Sequence, residues 1–357
     1  MKTYIKFLTY GFIKSFFNVF LLMITLILIL NILKEIEFFS NKDVNSFYPI
    51  YLSVLSSASV VFEMFPFIFL ISTQFFFLKL FNNDEINIFK YSGLKNISII
   101  KILSIISFLM GVLIITIFYT LSSNLQNYYL QVKNQFSKDK LHLAVINKNG
   151  LWIKDNINEE ISIINSSKIN DNFLIDTFIT VFNKDFKLIK SFKSDKIDIK
   201  NNEWLIYDAI VYENNSKKKL DLIKFKSNFN QKRIESLFSN LSSLSILELI
   251  NLRQNYKLLN YSIVEVDMQI YKIFTYPIFL VLMTIISCMI MFNTKHSNSR
   301  VLKIIIGLFF SVGIYYINNF FNVMGSTEKI PLIISIWSPI VFLTLINLTM
   351  LININEK

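Results

Sequence analysis

The stretch Phe173–Glu213, FLIDTFITVFNKDFKLIKSFKSDKIDIKNNEWLIYDAIVYE, decides how the chain folds. FLIDTFITVF, DKIDI and EWLIYDAIVYE are rich in β-branched and aromatic residues, and the turn-formers FNKD and IKNNE separate them. On either side HLAVI, GLWIK, ISII and LDLIKF read the same way, punctuated by INKNG and ENNSKKK. Several strands at short spacing predict an antiparallel sandwich or jellyroll-like all-β domain. Strand–helix alternation is missing, which argues against a nucleotide-binding α/β domain.

This β-rich block, Asn124–Ser262, is polar and sits between two groups of apolar runs. Before it, runs centre near Asn18–Leu33, Ala58–Leu78 and Ile99–Leu121; after it come Ile270–Phe292, Val301–Val323 and Leu332–Ile352. Each is close to the ~20 apolar residues that cross a ~30 Å hydrocarbon core as a helix. The expected fold class is therefore a helical membrane protein with six transmembrane helices and an inserted all-β domain. Residues 1–123 form three spans, 124–262 the soluble domain and 263–357 three more spans. Composition agrees, since 53% of the chain is hydrophobic and the apolar residues are concentrated in runs that a soluble fold could not hide.

Charge gives the orientation. Lys2, Lys6, Lys14, Lys79, Lys90, Lys95, Lys101, Lys295, Arg300, Lys303 and Lys357 fall on one side; the short loops opposite offer only Lys34, Lys42, Lys272 and Lys329. The positive-inside rule then puts both termini in the cytoplasm and the β block outside. The first run is too long for a signal peptide, and the following KEIEFFSNKD offers no small-residue cleavage site. The net charge of +11 is scattered and accompanied by no nucleic-acid motif. Seven glycines include no Walker pattern, so ATP hydrolysis by this chain is not expected. His142 and His296 lie on opposite sides of the proposed membrane and Cys288 is the sole cysteine, which leaves no metal, cofactor or Ser-His-Asp site.

Four places carry candidate function. In LKLFNNDEINIFKYSGLKNISIIK, Asn82, Asn83 and Asp84 are helix caps and Gly93 a helix stop. Between them lies a helix of about two turns with Ile86 and Phe89 at i,i+3 spacing. Such a helix either offers its apolar face to a soluble partner's groove or is a tight polar connector. Lys34, at the outer end of the first span, either snorkels to the interface or meets an anionic ligand. In SVVFEMFPFIFL, Glu63 precedes Pro66 by three residues, at the outer interface or facing a polar cavity between helices. Leu244, Leu247, Glu248, Ile250 and Leu252 predict a helix before the fourth span, with Ser243 and Ser245 as candidate caps.

Taken in order, these segments resemble the LptF/LptG permeases of the ABC-type lipopolysaccharide exporter, its LptG branch more than its LptF branch. Glu85 followed eight positions later by Gly93 resembles the coupling-helix motif, and EMFP (Glu63–Pro66) the second span. NGLWIKD (Asn149–Asp155) and EWLIYDAIVYE (Glu203–Glu213) are similar to the tryptophan-bearing strands, and LSILELINLRQ (Leu244–Gln254) to the helix before the fourth span. YKIFTYPIFLVLM (Tyr271–Met283) and KIPLIISIWSPI (Lys329–Ile340), with its P-x5-W-x-P spacing, complete the set.

The resemblance implies a permease subunit that lifts lipopolysaccharide from the outer leaflet of the bacterial inner membrane and hands it to a periplasmic jellyroll bridge. It implies an LptB-like cytoplasmic ATPase meeting Asp84, Glu85, Ile86, Phe89 and Gly93, and an LptF-like second permease forming a heterodimer. LptC-like and LptA-like jellyroll proteins would receive the lipid, whose phosphates Lys34 and Lys42 would contact. The rival readings are the LptF paralogue itself and a non-transporting membrane sensor or structural anchor with an outer β domain.

Overall fold

The computed structural model describes residues 3–40, 45, 47–136, 151–157, 160–170, 172–213, 216–231, 234, 240–258, 262–293 and 300–355. By chain contacts it divides into two units, Met1–Gln126 with Val264–Lys357, and Asn127–Ile263.

The first unit contains six helices long and apolar enough to cross a membrane. They are α1 (Thr3–Phe39), α2 (Phe47–Asn82), a third span that begins as α4 (Asn96–Leu113), α7 (Val264–Asn293), α8 (Arg300–Ser326) and α9 (Leu332–Asn355). Between the second and third spans lies the short helix α3 (Glu85–Tyr91). The third span is interrupted by a π-helical segment, Ile114–Tyr119, and continues as α5 (Thr120–Gln135).

Around α7 the other spans assemble: 61% of its most apolar stretch is buried, against 17% for α8. Hydroxyls within the spans mostly bond their own helix backbone, as Ser53 does to Pro49, Thr73 to Phe69 and Thr344 to Ile340. A smaller set ties helices together. Ser287 donates to the Leu70 carbonyl at 2.8 Å, the Ser107 and Thr284 hydroxyls meet at 2.9 Å, and Gln74 donates to the Lys303 carbonyl at 2.9 Å. The Gln74 contact requires Gly307, because a Cβ there would lie 2.0 Å from Gln74 Nε2.

In the second unit, β1 (Leu151–Ile157), β2 (Glu160–Asn170), β3 (Phe173–Phe182), β4 (Leu188–Asp198), β5 (Glu203–Glu213) and β6 (Ser216–Lys226) form one antiparallel sheet. Each strand pairs with its sequence neighbours in the order β1-β2-β3-β4-β5-β6. The fold class is thus a helical membrane protein with an inserted β domain. HLAVI (His142–Ile146) lies outside the described residues. After β6, α6 (Ile246–Leu258) starts with a capping box. Glu248 accepts from the Ser245 amide and hydroxyl, both at 2.8 Å, so Ser245 is the cap.

A crease crosses this sheet. Registers place Asp176, Asp195, Asp208 and Asp221 in one row over β3 to β6. Along β3 the buried residues Leu174 and Thr177 are three apart, as are Ser194 and Ile197 on β4 and Ile206 and Ala209 on β5. One extra residue per strand is therefore accommodated at the same row, and every register survives it. Asp176 and Asp208 take left-handed backbone at φ 48 and 46, a conformation that aspartate tolerates better than most residues.

Two serines close the carbonyls that the crease exposes. Ser166 on β2 donates to Ile175 on β3 at 2.8 Å and also reaches the Lys168 carbonyl. Ser194 on β4 donates to Tyr207 on β5 at 2.6 Å and reaches the Lys196 carbonyl. The β2–β3 and β4–β5 pairs thus repeat one device: Ser-x-Lys opposite a residue followed by left-handed Asp. Residues from both sides of the crease, including Ile164, Ile179, Phe192, Leu174, Ile197, Trp204 and Ile206, pack into one core. The sheet bends over its own buried face.

The two outermost strands are then joined by Asp155 on β1, which is 1% exposed. It accepts from the Ser227 hydroxyl at 2.8 Å, the Asn228 amide at 3.0 Å and Asn228 Nδ2 at 2.8 Å, just beyond β6. Nearby the Trp204 indole donates to the Phe229 carbonyl at 2.7 Å. Asp155→Ala leaves three donors without their acceptor, one of them the buried Ser227 hydroxyl. It is expected to destabilise the β domain by about 1–3 kcal/mol, read as an earlier thermal transition in tryptophan fluorescence.

Candidate functional site

Helix α3 owes its sharp ends to its sequence. Asp84 stands at its N-cap with left-handed backbone (φ 54), and its carbonyl accepts from the Asn87 and Ile88 amides. The Asp84 side chain makes no cap bond, so backbone geometry does the capping that was expected of the side chain. At the other end Gly93 has φ 78, its amide donates to Lys90 and that of Leu94 to Phe89 at 2.9 Å. This double return is a Schellman stop and requires glycine at the left-handed position.

The faces of α3 differ from the expectation on one point. Ile86 is 3% exposed and Phe89 is half-buried, its ring packed edge-on against Phe7 of α1 at 5.9 Å. Both therefore anchor the helix to its own bundle and do not face outward. Ile88 and Tyr91 point out instead, 63% and 90% exposed, together with Asp84, Asn87 and Gly93. Glu85 sits between the two faces. One carboxylate oxygen accepts from Asn83 Nδ2 at 3.0 Å; the other is shielded and unbonded. The i,i+3 pair correctly marked an apolar face but could not say whether bundle or partner owned it.

At the far end of α1, Lys34 is exposed and its neighbour Glu35 is 1% exposed. Lys42 lies outside the described residues. Glu63 on α2 is exposed, and Lys272 on α7 is the charge with which it interacts. Tyr276, one turn along α7 from Lys272, stacks on Phe62 at 4.7 Å and donates its hydroxyl to the Phe62 carbonyl. Lys272 and Tyr276 were not marked as site residues in the sequence. The signal that could have found them was a lysine and a tyrosine one helical turn apart, just before Pro277. Among the described residues no group of three or more His, Cys, Asp and Glu side chains is placed to hold a metal.

The bent sheet encloses a groove of about 440 Å³. Ile157, Phe192, Val211, Leu220, Ile223 and Phe225 supply apolar wall; Glu160, Lys190, Glu213, Lys224 and Lys226 supply charge. The volume lies within the ~300–1,000 Å³ of ordinary ligand clefts.

Residues 6–353 match the family model described as lipopolysaccharide export system permease LptF/LptG. The chain belongs to the LptF/LptG family. No curated protein matches it significantly. Membership makes the chain a multi-pass permease component of an ABC transporter whose substrate is lipopolysaccharide; the permease itself is not the ATPase. The family match does not separate LptF from LptG. In this LptF/LptG chain, Glu85 lies on the short helix α3 with Asp84 at its N-cap and Gly93 just past its end, whereas Glu63 lies on α2 and Lys34 on α1.

Gly93→Ala tests the stop on α3. No neighbour would meet the added Cβ within 4 Å, so the whole cost is backbone. Forcing an L residue into left-handed backbone is expected to cost about 1–2 kcal/mol, measured as faster amide exchange over residues 85–94 with exchange in the β domain unchanged.

Proposed function

We propose that this permease is the LptG-type half of its exporter, seated in the bacterial inner membrane with both termini cytoplasmic and the β domain periplasmic. It takes lipopolysaccharide from the outer leaflet and passes its acyl chains to the groove of a jellyroll-like β domain. From there the lipid moves to LptC-like and LptA-like jellyroll partners. A second, LptF-like permease completes the cavity. Lys34 and Lys42 hold the lipid phosphates, and charge-assisted contacts there gain strength because the cavity is partly dry. Glu63, with Lys272 beside it, makes the polar wall at the outer end.

Extraction needs outside work, because each buried CH₂ resists removal by ~0.8 kcal/mol. An LptB-like ATPase supplies it through α3, pushing this helix as it closes on ATP and collapsing the lipid cavity. The observation that carries the reading is the two-sided build of α3. Ile86 and Phe89 fix it to the bundle, while Ile88 and Tyr91 remain outward for a partner's groove. The coupling contact is therefore assigned to Asp84, Glu85, Ile88, Tyr91 and Gly93, with Ile86 and Phe89 behind them. The apolar wall and charged rim of the β groove support the passage of acyl chains beneath charged headgroups.

Two experiments test the proposal. Ile88→Ala combined with Tyr91→Ala is expected to cut co-purification of the ATPase about tenfold or more in mild detergent while the chain stays folded, because exposed aromatic anchors dominate such contacts. Undiminished ATPase capture would refute the coupling surface. Topology is read with a membrane-impermeant maleimide, using the buried Cys288 as a silent background. Asn183→Cys, in the β3–β4 turn, is expected to label in cells with an opened outer membrane. Tyr91→Cys should label only after the inner membrane is breached.

A further inference from the structure

Four spans carry an interior proline or a π-helical segment, and three of these irregular places touch one another; the fourth, Pro339 on α9, takes no part in the contacts among them. On α2, Pro66 has no amide proton, so the Phe62 carbonyl four residues earlier loses its helical donor. On α7, Pro277 follows Tyr276 directly. On the third span, Ile114–Tyr119 is π-helical, a state usually confined to short interruptions.

The contacts among them are close. The Tyr276 hydroxyl donates to the Phe62 carbonyl, the very acceptor that Pro66 leaves open, and the two rings stack at 4.7 Å. The Phe62 ring also meets Tyr119, within the π-helical segment, at 5.0 Å. Phe118 meets Phe65 of α2 at 5.0 Å, edge-on. Gly111, just before the π segment, lets that span approach α7 so closely that a Cβ would lie 3.0 Å from Pro277 Cα.

We propose that this layer is a joint in the membrane unit, and that Tyr276 is its positioning residue. A side chain on α7 replaces the backbone bond that Pro66 removes from α2, so the two helices share one hydrogen bond in place of a rigid internal one. A shared bond keeps the carbonyl satisfied in hydrocarbon while permitting the halves of α2 on either side of Pro66 to tilt. The π segment and Gly111 give the third span freedom at the same place. This deepens the transport reading above: a push arriving at one end of α2 changes the angle of its other end.

The test is a double-mutant cycle on the full chain with four forms: wild type, Tyr276→Phe, Pro66→Ala and both together. Pro66→Ala restores an amide that can bond Phe62, so the Tyr276 hydroxyl becomes redundant. In the wild-type background Tyr276→Phe should raise the unfolding equilibrium constant about threefold, the usual weight of a hydrogen bond between membrane helices. In the Pro66→Ala background it should change nothing. An equal cost in both backgrounds overturns the compensation.

Motion is read separately with spin labels at Val54 and Phe75, both exposed on α2. These positions are about 32 Å apart along an unbroken helix. Pro66→Ala should narrow the distance distribution around that value, whereas Tyr276→Phe should broaden it. Identical distributions in all four forms overturn the joint. Neither arm involves lipid or ATP, so a failed transport reading would leave both results standing. In the reconstituted exporter, Pro66→Ala should slow lipid release several-fold. Wild-type release from a chain whose distribution has narrowed would show that transport does not use the joint.

Discussion

A backbone polar group in hydrocarbon has no water to turn to, and the architecture of this chain follows from that. The first answer is the α-helix, which satisfies its own amides and carbonyls over six spans. The second answer appears wherever a span carries a polar side chain. Most hydroxyls fold back on a carbonyl of the preceding turn, as Thr73, Thr284 and Thr344 do. Those groups that reach another helix become the ties between spans: Ser287 to Leu70, Gln74 to Lys303, Asn347 to Leu282. Such ties contribute only about 0.6 kcal/mol each on average, so their number matters more than any one of them. They also fix helix rotation, since a donor turned away from its acceptor is left in lipid.

The β domain meets the same demand differently. Its strands satisfy one another sideways, which works until the sheet must bend around its core. At the crease the pairing lapses on all the affected strands together, and side chains take over where the ladder fails. Ser166 and Ser194 each serve two carbonyls, and left-handed Asp176 and Asp208 absorb the change of direction. Keeping the extra residue in one row is what saves the register. A single bulged strand would have shifted its neighbour's apolar face outward.

Much of this was legible in the sequence, and the rest was hidden for physical reasons. The spans could be read because membrane thickness imposes a length, and the strands because β-branched and aromatic runs alternate with turn-formers. Gly93 could be read as a stop, since left-handed backbone selects glycine. The direction of Ile86 and Phe89 could not, because bundle and partner are both apolar and periodicity marks a face without naming its owner. The crease was concealed because Asp inside a strand reads as a breaker, not as a corner that four strands share. Tyr276 was missed because its partner Phe62 is 214 residues away in sequence, and no local pattern carries so distant a contact.

These pieces bear on how force could travel through such a permease. Ile86 and Phe89 belong to the same packed cluster as Leu8, Phe12, Phe76, Phe77 and Leu80. Close-packed side chains have no slack, so a displacement of α3 moves the adjoining ends of α1 and α2 as one body. If α2 were a regular helix throughout, that displacement would carry its whole length rigidly, and a cavity at the other end would shift without changing shape. To change shape, the helix needs a place where its two halves can part company at low cost. Pro66 creates that place, and a hydroxyl from α7 keeps it from exposing an unpaired carbonyl. Under the proposed coupling, push and compliance occupy different stretches of one helix: tight packing where the push would be received, and an open backbone bond where it would become a change of angle.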